Sequence, residues 1–247
     1  MRFFLYFCTL NQYRMDEFFS RSETLLGAEA MEALRTKRVI LFGIGGVGSW
    51  CAEALVRTGL THLTIVDGDT VQPSNVNRQL PATRETIGRP KVEVLRERLL
   101  TINPEAEIVA VFENYFADGK TESGADLKIS EYDYVIDAID SVAAKTDLIL
   151  CATRTRGVKI FSSMGAALRF DPTKVTTGEL MSIQGDALAK VVRARMKKIG
   201  LHPYRKVKCV YSTEQAQQCA TRGSLMQVTA VFGCTLASMV IKDLKKK

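Results

Sequence analysis

The sequence predicts an α/β fold with a mostly parallel sheet and antiparallel strands added in its C-terminal third. The first observation is an apolar run rich in β-forming residues, 38–42, which continues into Gly-Ile-Gly-Gly-Val-Gly at 43–48 and then into a helical stretch, 49–56. The second is another strand, 62–66, that ends at Asp67. The third is the alternation of strands and helices that follows, which is typical of a parallel sheet covered by helices.

The glycine motif and its surroundings predict a nucleotide site on a Rossmann-like fold. Glycine lets the backbone turn tightly and approach a phosphate, and the helix N-terminus presents free N–H groups to it. Asp67 lies 19 residues after Gly48, where such a unit places its ribose-binding carboxylate. A glycine turn that serves only helix–strand packing is the alternative. The motif itself fits NAD and ATP equally.

The remaining elements are expected in a regular order along the chain. Helices are predicted at 91–102, 143–156, 184–198 and 228–244. Strands are predicted at 107–112, 134–138, 158–162, 175–179 and 208–211. The last two strands are expected to complete the sheet in an antiparallel arrangement. The long apolar helix at the end is interpreted as core or dimer interface rather than as a membrane span.

A polar turn follows Asp67 where a dinucleotide fold normally continues into a helix. It contains Asn75, Asn77, Arg78 and Gln79 within five residues. The planar guanidinium of Arg78 suits phosphate oxygens. Lys91 opens the next helix after Pro90 and has the reach to contact a triphosphate. A solvated loop and an ordinary surface lysine are the alternative interpretation.

Five linked motifs carry a resemblance to a known family. They are Gly-Ile-Gly-Gly-Val-Gly-Ser, Asp-Gly-Asp, Asn-Val-Asn-Arg-Gln, Gly-Arg-Pro-Lys and Val-Ile-Asp-Ala-Ile-Asp-Ser. Their order and spacing resemble the ubiquitin-activating-enzyme-like superfamily, whose bacterial members include the ThiF, MoeB and HesA types. The resemblance runs from about Phe18 to the C-terminus. Trp50 and the segments 162–166 and 210–214 look like the branch that dehydrates threonylcarbamoyl-adenosine in tRNA.

The resemblance implies which residues hold ATP and magnesium. The residues implied to bind ATP are Gly43, Gly45, Gly46, Gly48, Asp67, Asn75, Asn77, Arg78, Gln79 and Lys91. Asp140 matches the magnesium-binding acid, and Asp69 and Asp137 match supporting acids. Arg21 matches an arginine that reaches the ATP of a partner subunit, which implies a homodimer.

The implied reaction begins with attack of a carboxylate on the α-phosphate of ATP. It gives an acyl adenylate and pyrophosphate, and ring closure of the threonylcarbamoyl group follows with overall loss of water. Positioning and electrostatics dominate such phosphate chemistry, which gives Arg78, Lys91 and Asp140 catalytic roles. The attacking carboxylate is already ionised near neutral pH, so no general base is required.

The cysteines bear on zinc, on catalysis and on the compartment. The six are Cys8, Cys51, Cys151, Cys209, Cys219 and Cys234, and no two form Cys-x-x-Cys. Since MoeB and ThiF types usually carry two such pairs, no structural zinc is expected. Cys51, Cys151 and Cys234 are expected in the core. Cys219, near Arg222, matches the crossover-loop cysteine that is proposed to assist catalysis, although this loop is short; an exposed loop cysteine is the alternative. Unpaired cysteines suit a reducing cytoplasm.

Composition and charge set the remaining expectations. A chain of 247 residues suits one domain, expected at 15–247, with 1–14 outside the fold and Met15 a candidate start. No stretch of 18 or more apolar residues is found, so no membrane span is expected. The net charge is +7, and a basic stripe without acids predicts tRNA binding, with a solvated helix face as the alternative. Its members are Lys190, Arg193, Arg195, Lys197, Lys198, Arg205, Lys206 and Lys208.

Three other functions remain open at this point. The first is adenylation of a small sulfur-carrier protein that ends in Gly-Gly, as in the MoeB and ThiF types. The second is a nicotinamide-dependent oxidoreductase, in which Asn-Val-Asn-Arg-Gln and Asp140 would have no role. The third is a tRNA-binding scaffold without activity. A partner from a cysteine-desulfurase or sulfur-acceptor system is also left open.

Overall fold

The computed structural model describes residues 15–221 and 223–245. The predicted N-terminal extension, 1–14, lies outside the described residues, as do Cys8 and Arg222. The helices are α1 (Met15–Phe18), α2 (Ser20–Leu26), α3 (Ala28–Arg35), α4 (Gly48–Thr58), α5 (Lys91–Ile102), α6 (Val142–Arg154), α7 (Ala187–Lys198) and α8 (Met226–Leu244). The strands are β1 (Arg38–Phe42), β2 (His62–Val66), β3 (Glu107–Val111), β4 (Tyr115–Ala117), β5 (Lys120–Thr121), β6 (Tyr134–Asp137), β7 (Lys159–Ser163), β8 (Val175–Glu179) and β9 (Lys208–Ser212).

A seven-stranded sheet in the order β3-β2-β1-β6-β7-β9-β8 forms the centre of the molecule. All neighbours from β3 to β9 in that order are parallel, and only β8 runs antiparallel to its neighbour. The predicted fold class is therefore confirmed. Four of the five residues of β1 are fully buried, as a central parallel strand covered on both faces requires.

The order of strands reverses between β1 and β6. From β1 the chain adds β2 and β3 on one side, and it then returns to place β6 on the other side. In open α/β sheets, the crevice outside the carboxyl ends of the strands at such a switch point is where ligands bind. The topology therefore directs attention to the turns that follow β1 and β6.

The predicted elements are all present, with bounds that differ by at most three residues. The start of α7 shows why such shifts arise. Asp186 accepts a hydrogen bond from the backbone N–H of Ala189 and so begins the helix at Ala187. The hairpin of β4 and β5 was not expected, because the stretch after β3 has no apolar alternation; Asp118 and Gly119, both at positive φ, form its turn.

Helix α8 packs closely against α4 and so supports the glycine segment. A Cβ atom added to Gly233 would lie 2.4 Å from the carbonyl oxygen of Val47 and 2.8 Å from the Cβ of Trp50. Among the described residues, α8 is the helix that is long and apolar enough to cross a membrane, and half of its most apolar window is buried within the molecule.

Candidate active site

A cleft of about 970 Å³ opens at the carboxyl edge of the sheet. Its walls come from the segments that follow β1, β2, β6 and β7, which is the edge that the strand order indicates. The volume lies at the upper end of the ~300–1,000 Å³ typical of ligand pockets. There is room for a nucleotide and for part of a second molecule.

The glycine segment after β1 forms a tight turn with one open face. Gly43 has φ +87°, and a Cβ added there would lie 2.6 Å from the carbonyl oxygen of Ala138. A Cβ on Gly48 would lie 1.8 Å from the carbonyl oxygen of Gly43, so no side chain fits. A Cβ on Gly45 would approach only the amide nitrogen of Gln79, at 3.8 Å. Gly43 and Gly48 therefore shape the turn, whereas Gly45 leaves its surface open to the cleft.

The N-terminus of α4 follows this turn without a side-chain cap. Uncapped N–H groups and the positive end of the helix dipole favour an anion at that position. Gly46 lies against Arg78, because a Cβ added there would be 3.2 Å from the Cγ of the arginine. The turn thus combines backbone donors with a neighbouring cation.

Two acids and a buried lysine follow β2. Asp67 accepts hydrogen bonds from the backbone N–H groups of Ile44, at 2.6 Å, and Asp69, at 2.8 Å. Burial raises the pKa of Asp67, although the positive charge of Lys91 opposes that shift. Lys91 is 4% exposed, and its Nζ lies 2.7 Å from Asp69. Part of the charge of Lys91 is therefore already balanced within the chain.

Arg78 lies in the cleft at the end of the polar turn. Its Nη1 donates to the carbonyl oxygen of Ser74, at 2.8 Å, and to the side-chain oxygen of Asn77, at 3.1 Å. The indole N–H of Trp50 donates to the carbonyl oxygen of Arg78, at 3.0 Å, and fixes the backbone. Gln79 is buried beside it, and its Oε1 has no hydrogen-bond partner. A buried acceptor of this kind is normally satisfied, so it points to a hydrogen-bond donor bound at this place in the cleft.

The two asparagines of this turn have structural contacts. Asn75 accepts a hydrogen bond from the backbone N–H of Gln72, at 3.0 Å, within a capping box. The side-chain nitrogen of Asn77 donates to the carbonyl oxygen of Ser224, at 2.8 Å, and Asn77 does not line the cleft. Asn77 therefore ties the turn to the segment that precedes α8.

Asp140 lies in the cleft at the exposed end of β6. No hydrogen bond or ion pair is found for its carboxylate among residues 15–221 and 223–245. Within the same ranges no group of three or more His, Cys, Asp or Glu side chains is arranged to hold a metal ion. Magnesium commonly uses one or two carboxylates together with substrate phosphates, so a single free acid fits that ion.

A buried ion pair beneath Asp140 was missed by the sequence analysis. The Nζ of Lys145 lies 2.6 Å from Asp137, and both side chains are fully buried. Lys145 also donates to the carbonyl oxygen of Ser163, at 2.9 Å. The other carboxylate oxygen of Asp137 accepts from the backbone N–H of Ile139, at 3.0 Å. The pair thus joins β6, β7 and α6 directly below the turn that carries Asp140.

Arg21 and Cys219 lie outside the cleft. Arg21 is exposed on α2, and its contact with a partner subunit stays a prediction. Cys219 is exposed in the irregular segment 213–221, and Arg222 lies outside the described residues. The chain brings together the glycine segment, Asp67, Arg78, Gln79, Lys91 and Asp140.

The prediction that Cys234 belongs to the core is wrong. It is exposed on α8, whereas Cys51 is buried on α4 and Cys151 is partly buried on α6. Because α8 is apolar on most of its surface, its sequence does not show which of its faces is buried. Burial raises the pKa of the thiols of Cys51 and Cys209 far above the ordinary value, so neither is a reactive thiolate.

Two arginines of the basic stripe make structural hydrogen bonds. Arg193 donates to the carbonyl oxygen of Leu180, at 2.9 Å, and Arg205 donates to those of Ala152 and Thr155, at 2.9 and 2.7 Å. These two arginines therefore satisfy backbone carbonyls. The other members of the stripe are all exposed and are Lys190, Arg195, Lys197, Lys198, Lys206 and Lys208.

A mostly parallel sheet with a glycine turn, a following acid and a cationic cleft at the switch point defines a nucleotide-binding α/β protein. The ThiF family model matches residues 19–247, and the chain belongs to this family. It is 39% identical over 196 residues to the tRNA threonylcarbamoyladenosine dehydratase of Bacillus subtilis (strain 168), covering 79% of this chain and 74% of that protein.

Two further comparisons bear on the branch. The crystal structure of E. coli tRNA N6-threonylcarbamoyladenosine dehydratase, TcdA, in complex with ATP matches with a TM-score of 0.84 and 34% identity, covering 93% of this chain and 94% of that chain. The molybdopterin-synthase adenylyltransferase of Escherichia coli (strain K12) is 38% identical over 120 residues, only 49% of this chain and 46% of that protein. The similarity to the dehydratases therefore extends over more of the chain.

Proposed function

We propose that this protein is an ATP-dependent, adenylate-forming dehydratase that cyclises threonylcarbamoyl-adenosine in the tRNA anticodon loop. The observation that carries the proposal is the joining of Gly45, Arg78, Lys91 and Asp140 in one cleft. The structural similarity of this chain to a dehydratase crystallised with ATP supports the same conclusion. Adenylation of a sulfur-carrier protein is the second candidate, favoured by the partial match to the molybdopterin-synthase adenylyltransferase.

The cleft fits ATP on two grounds. The open face of Gly45 lets phosphates approach the backbone, since a Cβ there would meet only Gln79. The buried, unpartnered Oε1 of Gln79 is an acceptor that a nucleotide donor would satisfy. Asp67, at the end of β2, would receive the ribose hydroxyls. The triphosphate would then cross the glycine segment toward Arg78 and the N-terminus of α4.

The first step joins the substrate carboxylate to the α-phosphorus of ATP and breaks the bond to pyrophosphate. Arg78 and Lys91 stabilise the negative charge that builds up on the phosphate oxygens. Asp140 would hold a magnesium ion, which neutralises phosphate charge when bound. The product of this step is a mixed anhydride of the threonyl carboxylate and AMP.

The second step closes the ring. A nucleophilic atom of the threonylcarbamoyl group attacks the activated carbonyl carbon, loses its proton and expels AMP. The oxygen that leaves with AMP belonged to the carboxylate, so the adenosine loses one water overall. Cys219 is exposed on the segment 213–221, and Ala216 of this segment lines the cleft. The proposal therefore includes a role for the thiol of Cys219 in this step.

The remaining assignments belong to the same proposal. Exposed basic residues on and after α7 would bind tRNA phosphates. Two copies would form a homodimer in which Arg21 of each reaches the ATP of the other. The protein would act in the cytoplasm, with a cysteine-desulfurase or sulfur-acceptor system as a further partner.

The decisive experiment mixes the protein with ATP, magnesium and threonylcarbamoylated tRNA. Mass spectrometry of the nucleosides is expected to reveal an adenosine product lighter by one water, formed only with ATP, together with AMP and pyrophosphate. ATP–pyrophosphate exchange that requires a carrier protein ending in Gly-Gly, without any change in the tRNA, would contradict the proposal and support the second candidate.

A Gly45→Ala variant is expected to fold normally and to bind ATP at least about tenfold more weakly, as the loss of one hydrogen bond to a charged group predicts. The added methyl group meets no backbone atom but fills the space over the glycine segment. Isothermal titration with ATP and thermal unfolding measure the two effects. Gly48→Ala is the contrast, since its Cβ would overlap the carbonyl oxygen of Gly43 and should destabilise the fold itself. Unchanged ATP affinity in Gly45→Ala would exclude this face as the phosphate site.

A further inference from the structure

Arg169 is a buried cation in the wall of the cleft. It follows β7 and is 3% exposed, and its Nε and Nη1 have no hydrogen-bond partner. Burial of a charged group without hydrogen bonds is costly, and buried polar atoms in native proteins are almost always satisfied. These two donors therefore indicate a ligand that accepts hydrogen bonds.

The nearby acids do not supply those hydrogen bonds. Asp186 approaches Nη2 of Arg169 only to 3.8 Å, which is beyond hydrogen-bond range. Its two oxygens accept from the backbone N–H groups of Ala189, at 2.9 Å, and Gly165, at 3.1 Å. Glu214 accepts hydrogen bonds from the backbone N–H groups of Phe170 and Asp171 instead of from the guanidinium. Both carboxylates are thus satisfied by amides, and the two donors of Arg169 remain available.

The strand order places Arg169 away from the proposed triphosphate. Along the carboxyl edge, Asp67 follows β2, the glycine segment follows β1, Asp140 follows β6, and Arg169 comes after β7. Neighbouring strands are about 4.8 Å apart, so β7 lies roughly 10 Å from β1. Of the basic side chains that line the cleft in the described ranges, Arg78 and Lys91 lie on the nucleotide side, and Arg169 lies beyond Asp140.

We propose that Arg169 binds the carboxylate of the threonylcarbamoyl group and directs it toward the α-phosphorus of ATP. This inference rests on the function proposed above. A guanidinium suits a planar carboxylate, and that carboxylate is ionised near neutral pH. Arg169 is buried, so its ligand must reach into the wall of the cleft. A carboxylate attached to a base can do so, whereas a phosphodiester belongs to the bulky nucleic-acid backbone and stays at the rim.

The backbone next to Arg169 is held by hydrogen bonds to the segment that precedes α8. The backbone N–H of Gln217 donates to the carbonyl oxygen of Leu168, and the N–H of Leu168 donates to that of Gly223, both at 2.9 Å. Leu168 has φ +60°, a backbone conformation that costs energy for a leucine. The two unpartnered atoms of Arg169 are closed to solvent, so the carboxylate reaches them only when neighbouring atoms move.

The test compares two tRNAs with two forms of the protein. Binding of threonylcarbamoylated tRNA and of the same tRNA without that group is measured, in the presence of a non-hydrolysable ATP analogue, for the wild type and for Arg169→Gln. The variant is expected to bind the modified tRNA roughly 10- to 100-fold more weakly than the wild type does, which is the effect of losing a charge-assisted hydrogen bond. Its affinity for the unmodified tRNA should change by less than about twofold. Because both tRNAs are tested on one preparation, partial unfolding of the variant would lower the apparent binding of both tRNAs equally.

Controls separate the inference from its alternatives. Arg169→Lys keeps the charge and should restore part of the discrimination, and an intact affinity for the ATP analogue demonstrates folding. Arg195→Gln removes an exposed arginine of α7 and should weaken both tRNAs by the same factor. If the affinity for the ATP analogue is intact, equal losses for both tRNAs in Arg169→Gln would assign the residue to the tRNA backbone and overturn the inference, as would no loss. If the wild type fails to dehydrate the modified tRNA, the proposed function fails instead.

Discussion

An Arg78→Ala variant is expected to lose roughly 10²- to 10³-fold in ATP turnover and to keep nearly all of its affinity for tRNA. Arg78 borders Gly46 in the cleft, and its guanidinium is held by Ser74 and Asn77 rather than by an acid. Its positive charge is therefore available to the phosphates of ATP. Removal of one preorganised charge from a closed site costs far more in the transition state than in the bound substrate.

The measurement compares steady-state ATP consumption with the equilibrium binding of tRNA. Arg84→Ala is the matched control, because Arg84 is exposed a few residues later and does not line the cleft. It should turn over ATP at nearly the wild-type rate. A variant at Arg78 that loses tRNA binding but still consumes ATP would contradict this role for the arginine.

The glycine segment could be predicted because its requirements are local in the chain. A buried strand, a turn without side chains and a helix occur consecutively, and the clash that a Cβ would make at Gly48 involves Gly43, five residues away. Asp67 followed from the same unit, since β2 pairs with β1 in direct register. The short separation of these parts makes spacing informative.

The pairs that link distant segments were not predicted. Arg169 and Asp186 come together only because α7 begins beside the turn after β7. For Lys145 a signal was present, since it shares one face of α6 with Leu148, Ile149 and Ala152, all of which are buried. A lysine on an apolar helix face requires a buried acid, but the sequence does not say which acid meets it.

A Lys145→Met variant is expected to lose about 3–5 kcal/mol of unfolding free energy, because it leaves Asp137 buried without its partner. Ser162 and the N–H of Ile139 still donate to that carboxylate, but the variant lacks the cation that pairs with it in the described part of the chain. Denaturant unfolding measures the loss. Lys159→Met is the matched control, since Lys159 pairs with Asp243 while half exposed and a surface ion pair contributes about 1 kcal/mol or less.

The double variant Lys145→Met/Asp137→Asn separates charge from packing. If the destabilisation comes from an uncompensated buried charge, removal of both charges should recover a large part of the loss, because a neutral pair carries no such penalty. Additive losses would instead assign the effect to side-chain packing.

The same variants should bind ATP more weakly than their stability alone predicts, since loss of the ion pair lets the side chain of Asp137 shift, and with it the backbone at Ile139 beside Asp140. Normal ATP affinity in a folded Lys145→Met protein would mean that this turn keeps its position without the pair.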